Sequence, residues 1–210
     1  MDFLNKEAIL HIVDNALRED LGDGDHTSLS TVPEDAEGSA KLLVKDNGIL
    51  AGVQLAEIIF KRVDPDLEMD ILIHDGERIE KGQIAFHVKG SSRSILSSER
   101  LVLNFMQRMS GIATKTDDLA KIIAHLPTKL LDTRKTTPGI RLMEKWAVNI
   151  GGGNNHRFAL YDMIMIKDNH VDYAGGIQQA IERTNSYLKE NGKHLKIEIE
   201  TRNLVEVKQV

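Results

Sequence analysis

"TKLLDTRK", residues 128–135, is an apolar run that ends in two cations, and it is the first of three runs that decide the fold. The second is "YDMIMIKD" (161–168), and the third is "LKIEIET" (195–201). Helical patterns separate the runs, in "GIRLMEKWAVNI" (139–150) and "GIQQAIERTNSYLKE" (176–190). Strands and helices that alternate at this pitch predict parallel strands, in either a barrel or an open sheet. The sequence therefore predicts an α/β fold.

Charged residues stand at the carboxyl ends of these three predicted strands. Arg134 and Lys135 end the first strand, Lys167 ends the second and Glu200 ends the third. Both parallel architectures place their functional groups at this edge. We therefore expect the functional site there.

The residues before the alternating region predict a small α+β domain. Strand-like runs at 40–53, 68–76 and 82–90 surround a helical run at 54–63. A helix precedes them, with an apolar face that we assign to Leu4, Ala8, Ile12, Ala16 and Leu17.

The boundary between the two domains is expected near a helix break. Helical periodicity runs through residues 94–116, and "DDLAKIIAHL" (117–126) predicts a second helix after the break at "SGIA" (110–113). We accordingly predict an N-terminal domain at 1–113 and a C-terminal domain at 114–210.

Composition excludes several classes of function. The chain of 210 residues has 27 Lys and Arg against 32 Asp and Glu, a net charge of -5, which argues against general attraction to nucleic acid or an anionic membrane. With no cysteine there can be no disulfide framework and no thiolate metal site, so any metal would be a hard ion held by oxygen. The absence of cysteine also suits a reducing cytoplasm, which is the expected compartment.

The cations at the strand ends suggest an anion site. Arg134 offers a planar fork and Lys135 a point charge, which suit a carboxylate or phosphate, although two solvated charges at a strand end would look the same. In "IGGGNNHRF" (150–158), the glycines would let backbone amides converge on an anion beside the donors His156 and Arg157, unless this is a plain flexible loop.

The next two strand ends extend this charge pattern. Lys167 ends the second strand, with Asp168 or Asn169 as candidate helix caps, and His170 is expected to be structural. Residues 132–170 hold six Lys and Arg and four acids. Glu200 could hold a hard metal ion or ribose hydroxyls, although an acid there is also common for solubility. This set, with no obvious Ser-His pair, indicates electrostatic binding of a polyanion.

Motifs along nearly the whole chain resemble the quinolinate phosphoribosyltransferase family. They are "EDLGDGDHTS" (19–28), "SERLVLNFMQRMSGIAT" (98–114), "DTRKTTPG" (132–139), "GGGNNHRFALYDMIMIKDNH" (151–170) and "IEIET" (197–201). The resemblance implies transfer of phosphoribose from phosphoribosyl pyrophosphate to quinolinate with loss of carbon dioxide, giving nicotinate mononucleotide for NAD biosynthesis. It also implies an N-terminal α/β sandwich, a C-terminal open α/β barrel and assistance by Mg²⁺.

The resemblance also implies roles for individual residues. It makes the protein a homodimer in which Arg100 reaches across the interface to the quinolinate of the other subunit. The quinolinate carboxylates would be bound by Arg134, His156, Arg157 and Lys167. Lys135 and Glu200 would be catalytic positions that serve phosphoribosyl pyrophosphate and its metal, with Glu200 as a possible Mg²⁺ ligand.

Further expectations concern the length of the protein and the alternatives to the function that the resemblance implies. Family members continue well past Val210, so we expect this sequence to be part of a longer enzyme, and a product that truly ends there to be inactive and poorly soluble. The alternatives are a paralogue acting on another heteroaromatic acid and a non-catalytic metabolite-binding protein. The hairpin at 74–90 also resembles a lipoyl or biotin carrier, but neither Lys81 nor Lys89 has the Met-Lys setting of such modules.

Overall fold

The computed structural model describes residues 4–210 and confirms the α/β fold class. Helices and strands mix along the chain. The helices are α1 (Lys6–Leu21), α2 (His26–Thr31), α3 (Val53–Val63), α4 (Ser92–Ile122), α5 (Arg141–Ile150), α6 (Asp168–Ala174), α7 (Ile177–Glu190) and α8 (Leu204–Val207). The strands are β1 (Glu37–Leu43), β2 (Gly48–Ile49), β3 (Glu68–Ile71), β4 (Arg78–Ile79), β5 (Ile84–Ser91), β6 (Ile164–Ile166) and β7 (Ile197–Ile199).

Contacts divide the chain into two compact units, 1–156 and 157–210. The domain boundary predicted at 113/114 lies within α4, so it does not coincide with the division between these units. The assignment of sequence domains to 1–113 and 114–210 stays a prediction. Within residues 4–210, no helix combines the length and the apolarity that are needed to cross a bilayer.

An antiparallel sheet in the order β1-β5-β3 forms the centre of the first unit. Side chains alternate across such a sheet, and Phe86 and Val88 of the central strand are both 2% exposed. Phe60 of α3 meets Phe86 edge to face, with 6.1 Å between the ring centroids. The apolar face of the sheet is therefore covered by helices, as the mixed pattern of the N-terminal region predicts.

Helix α1 buries a different ridge from the one predicted. Asn5 caps the helix by accepting a hydrogen bond from the Ala8 N–H at 2.8 Å. The buried residues are Ile9 (7% exposed) and Val13 (0%), four positions apart on one face. The residues assigned to the apolar face are only partly buried, because they flank the ridge that contacts the core.

Helix α4 runs for 31 residues without the break predicted at 110–113. Ser110 Oγ accepts from the Ala51 N–H at 2.9 Å and donates to the Ala51 carbonyl at 3.1 Å. Thr114 Oγ1 accepts from the Ile49 N–H at 2.9 Å. These contacts hold the helix on the chain around β2, and they outweigh the intrinsic preference of Gly111 for ending a helix. The prediction of two separate helices was wrong.

The first apolar run, 128–135, does not form a regular strand. Its pairing is a single parallel bridge between Leu131 and Asn154, and Leu131 is 52% exposed. Asn154 N donates to the Leu130 carbonyl at 2.8 Å, and Asp132 N donates to the Asn154 carbonyl at 3.1 Å. Because these bonds go to the loop after α5 rather than to a second strand, the prediction of a regular strand in this run was wrong.

The second unit bears out the prediction of parallel strands. β6 pairs with β7 in parallel, with Ile166 opposite Ile199. α6 and α7 pack against this pair through a small apolar cluster that includes Ile166, Val171 and Ile177. The carboxyl ends of both strands therefore lie side by side.

Candidate active site

The loop that carries Arg134 and Lys135 is anchored to the beginning of α5. Thr136 Oγ1 accepts from Arg141 Nε at 2.9 Å. Thr137 donates to Glu144 through its backbone N–H at 3.0 Å and through its hydroxyl at 2.8 Å. Gly139 ends the loop at a φ of +85°, a value that residues with a side chain rarely adopt. The loop therefore has a fixed conformation although most of it is exposed.

Glu144 is the buried acid that links this loop to α4. Its side chain is 7% exposed, and Arg108 of α4 donates to Oε1 from Nε at 2.8 Å and from Nη2 at 2.6 Å. Burial alone would raise the pKa of Glu144, but the donors Arg108 and Thr137 outweigh it and hold this pKa below its ordinary value. Glu144 is therefore a carboxylate over a wider pH range in the folded protein than in the unfolded chain.

Replacing Glu144 with glutamine should make the stability of the intact protein less dependent on pH. A lowered folded pKa stabilises the protein above the ordinary value of 4.5, and this contribution is lost as the pH falls through the folded pKa. At pH 7 we expect Glu144→Gln to lower the free energy of unfolding by about 1–3 kcal/mol, the usual worth of hydrogen bonds to charged groups.

Urea unfolding of wild type and Glu144→Gln checks this result. It is measured from about pH 3 to about pH 7, a range that includes the titration of carboxyl groups. The two curves should approach each other as the pH falls below 4.5. Glu57→Gln is the matched control, because Glu57 lies exposed on α3. A difference between wild type and Glu144→Gln that stays constant with pH would contradict the role of the ionised carboxylate.

A second buried pair lies beside the same loop, and it was not predicted from the sequence. Lys145 is 0% exposed, and its Nζ lies 2.5 Å from Oδ1 of Asp132, whose side chain is 8% exposed. Asn155 donates to the other oxygen of Asp132 at 2.6 Å. Lys145 is one of the six cations in residues 132–170, but its charge is paired with that of Asp132 inside the protein. The only signal was its place among apolar residues in "RLMEKWAV" (141–148).

The three glycines after α5 serve packing rather than anion binding. Gly151 and Gly153 lie against α4, where an added Cβ would come within 2.8 Å of Thr116 side-chain carbons at either position. Their amides already donate to the last turn of α5: Gly151 to the Ala147 carbonyl (3.0 Å), Gly152 to Asn149 (3.0 Å) and Gly153 to Val148 (2.9 Å). The expectation that these amides converge on an anion was wrong, because the end of the helix uses them.

Arg134 has a buried nitrogen that calls for an acceptor. The side chain is partly buried, and residues 4–210 offer no hydrogen-bond partner to its Nε. A buried guanidinium N–H without an acceptor is unfavourable. Lys135 next to it is exposed, and its backbone N–H donates to Thr133 Oγ1 at 3.0 Å. The two cations therefore differ, one held partly inside and the other extending into solvent.

In the second unit, Lys167 and Glu200 meet at the ends of neighbouring strands. Lys167 Nζ lies 2.9 Å from Glu200 Oε1, and the two side chains are 45% and 49% exposed. The sequence placed both residues at carboxyl ends, and the parallel pairing of β6 and β7 brings them together. Arg157 donates through Nη1 to the Met163 carbonyl at 3.3 Å, just before β6.

The N-terminus of α6 is capped by His170 and not by Asp168 or Asn169, the two residues considered for that role. The cap position is Lys167, and its backbone N–H donates to His170 Nδ1 at 2.9 Å. Asp168 is the first helical residue and accepts from the Asn169 N–H at 2.7 Å. His170 therefore has the structural role that was expected, because its ring fixes the backbone of Lys167 at the end of β6.

Comparison with known proteins gives this set of cations its context. Residues 25–110 match the model described as "Quinolinate phosphoribosyl transferase, N-terminal domain", and residues 112–210 match the one described as the C-terminal domain. The solved structure of NadC from Streptococcus pyogenes is 35% identical at a TM-score of 0.89, covering 98% of this chain and 72% of that one. The chain belongs to the quinolinate phosphoribosyltransferase family. The match to the family's N-terminal domain leaves the carrier-module alternative without support.

Other members of the quinolinate phosphoribosyltransferase family are similar over the same residues. The nicotinate-nucleotide pyrophosphorylase from Francisella tularensis is 38% identical at a TM-score of 0.86, covering 98% of this chain and 71% of that one. Quinolinate phosphoribosyltransferase [decarboxylating] 1b from Nicotiana tabacum is 51% identical over 200 residues, which are 95% of this chain and 57% of the relative. The chain thus spans a little over half the length of the curated relatives that it matches.

Arg100, another residue that the family resemblance singles out, lies on α4 of the first unit. Its side chain is 76% exposed, and its Nε lies 4.0 Å from Glu99 Oε1. An exposed pair at this distance contributes little to stability. Arg100 could therefore bind a group outside its own chain with little loss of stability. Such binding is the role that the resemblance implies.

Proposed function

We propose that the intact protein transfers phosphoribose from phosphoribosyl pyrophosphate to quinolinate, with decarboxylation to nicotinate mononucleotide. The observation that carries this proposal is the buried Nε of Arg134, for which residues 4–210 offer no acceptor. A carboxylate would supply the acceptor and match the planar geometry of the guanidinium. The names of the family relatives, which include quinolinate phosphoribosyltransferase [decarboxylating], support quinolinate as the source of that carboxylate.

The proposed reaction needs positioning and electrostatics rather than a nucleophilic side chain. The ring nitrogen of quinolinate attacks C1 of the ribose, and the bond from C1 to the pyrophosphate oxygen breaks with its electron pair leaving on pyrophosphate. The carboxylate next to the new cationic nitrogen then leaves as carbon dioxide. The electron pair remaining on the ring carbon is stabilised by that nitrogen until a proton replaces the lost group.

The roles proposed for individual residues are those that the family resemblance implies, and the charges of the residues are compatible with them. Arg134, His156, Arg157 and Lys167 would bind the quinolinate carboxylates. Lys135 is exposed and forms no side-chain ion pair with another residue in the described range 4–210, which suits binding of the flexible, highly charged phosphoribosyl pyrophosphate. Glu200 would act on the same substrate, and its ion pair with Lys167 would couple the two groups of ligands.

The acids of this chain fit a metal ion that arrives with the substrate better than a resident one. Among residues 4–210 there is no group of three or more His, Asp or Glu side chains that could hold a metal ion. Mg²⁺ commonly binds through one or two carboxylates together with substrate phosphates, and Glu200 could be such a carboxylate. We propose Mg²⁺ as the cofactor, which when bound would neutralise charge on the departing pyrophosphate.

A homodimer in the cytoplasm completes the proposal. Exposed Arg100 supports the family arrangement in which this arginine serves the site of the partner subunit. The sequence without cysteine is compatible with a reducing compartment. Relatives from plants carry the words chloroplastic and mitochondrial in their names, so the compartment varies within the family.

The test is an assay of the intact protein, with its mass verified, for nicotinate mononucleotide formed from quinolinate, phosphoribosyl pyrophosphate and Mg²⁺. We expect product, pyrophosphate and carbon dioxide in equal amounts, because each turnover forms one of each. Reactions without phosphoribosyl pyrophosphate or without Mg²⁺ are the controls. Binding of quinolinate without any product would instead favour the non-catalytic metabolite-binding alternative.

A further inference from the structure

The buried pair of Lys145 and Asp132 has a cost that its place in the core does not explain. Lys145 is the largest of the fully buried side chains among the described residues. Removing two charges from water is unfavourable, and apolar side chains of similar volume often stabilise a protein as well or better. Because Lys145 is 0% exposed, its ammonium cannot touch a substrate. A role in arranging other groups remains.

Asp132 is the point at which three separate segments are joined. Its Oδ1 accepts from Lys145 Nζ of α5 at 2.5 Å and from the backbone N–H of His156 at 2.9 Å. Its Oδ2 accepts from Asn155 Nδ2 at 2.6 Å, and the same Asn155 nitrogen donates to the Lys145 carbonyl at 2.9 Å. The carboxylate therefore ties the segment before Arg134 to the loop after α5.

The backbone of His156 is held by both members of the pair. Its N–H donates to Asp132, and its carbonyl accepts from Lys145 Nζ at 3.3 Å. Arg134 follows Asp132 by two residues. The pair thus holds the backbones from which two proposed quinolinate ligands, Arg134 and His156, extend.

We propose that the buried Lys145–Asp132 pair is a positioning device that fixes the backbones of Arg134 and His156 and thereby sets the affinity for the dianionic substrate. This inference rests on the proposed function. Phosphoribosyl pyrophosphate should be affected much less, because Lys135 lies next to the other anchor of this loop, where Arg141 holds Thr136 and Glu144 holds Thr137.

The test is steady-state kinetics of the intact protein carrying Lys145→Met, which keeps most of the length of the side chain and removes its charge and donors. The KM for quinolinate should rise roughly tenfold to a hundredfold, as expected when binding groups are displaced by about an ångström. The KM for phosphoribosyl pyrophosphate should stay near that of wild type. Asp132→Asn is the second variant and should show the same division between the two substrates, since a neutral amide cannot accept from all three donors.

A control separates positioning from general loss of stability. Leu55→Ala removes a fully buried side chain of α3 and should lower the melting temperature without changing the KM for quinolinate. A Lys145→Met protein with a lower melting temperature and the wild-type KM for quinolinate would overturn the inference, and so would an equal change of KM in Leu55→Ala. Absence of product from the wild-type protein would overturn the proposed function itself. If the wild-type protein forms product and the KM for quinolinate is unchanged in Lys145→Met and in Asp132→Asn, only the positioning role is overturned.

Discussion

Replacing Arg134 with alanine should lower kcat/KM for quinolinate roughly 30-fold to several thousandfold. Removing one partner of a buried charge pair typically costs about 2–5 kcal/mol of binding free energy, which corresponds to this range. The Nε of Arg134 is buried and finds no acceptor among residues 4–210. A bound carboxylate would satisfy it, and alanine would leave that carboxylate unpaired. The measurement is initial rate against quinolinate concentration at saturating phosphoribosyl pyrophosphate.

Two comparisons make the Arg134 result specific. Arg134→Lys keeps the charge and loses the planar fork, so it should recover only part of the activity. Arg183→Ala removes an exposed arginine of α7 and should behave as wild type. Near-normal turnover and unchanged affinity for quinolinate in Arg134→Ala would remove the basis of the proposed function.

Replacing Gly151 with alanine should have the largest effect on stability, a loss of about 3–5 kcal/mol, which exceeds the roughly 1–3 kcal/mol that is typical of overpacked sites. The new Cβ would overlap the Ala113 carbonyl oxygen and lie 2.9 Å from its carbonyl carbon and 2.8 Å from Thr116 Cβ. Because two of these atoms belong to the backbone of α4, no side-chain rotation relieves the clash. The helices α4 and α5 would have to separate.

Thermal unfolding of the intact protein measures this loss, and the glycines of the chain provide matched controls. Gly111 lies in α4 with open space around its Cβ position, so Gly111→Ala should stabilise the protein by about 1 kcal/mol through helix propensity. Gly152 also has open space but a φ of +85°, so Gly152→Ala should cost about 1–2 kcal/mol. A Gly151→Ala protein that melts with wild type would show that α4 and α5 do not approach this closely.

Periodic and local features were predicted well from the sequence. The helices α3, α5 and α7 follow from apolar spacing, and they begin within one or two residues of the predicted positions. The meeting of Lys167 and Glu200 follows from the rule that parallel strands align their carboxyl ends. These features depend on nearby residues or on simple topology.

Features that depend on distant contacts were not predicted. The helix break at 110–113 does not occur, because Ser110 and Thr114 bond to residues more than fifty positions away. The glycines at 151–153 suggested an anion site, whereas their packing depends on the approach of α4. Burial of Lys145 depends on Asp132, which a loop brings to it. In each case a local pattern had more than one physical meaning until the tertiary contact was known.

The most direct test of the central claim is the ratio of kcat/KM for quinolinate to that for nicotinate, measured on the intact wild-type protein. Nicotinate lacks one carboxylate, so it would leave part of the proposed set of cations unpaired. A site that binds a polar group through buried donors typically rejects the analogue lacking that group by about 10⁴-fold or more, and this is the ratio that we predict. Comparable turnover of the two acids would contradict a site built for a dianion.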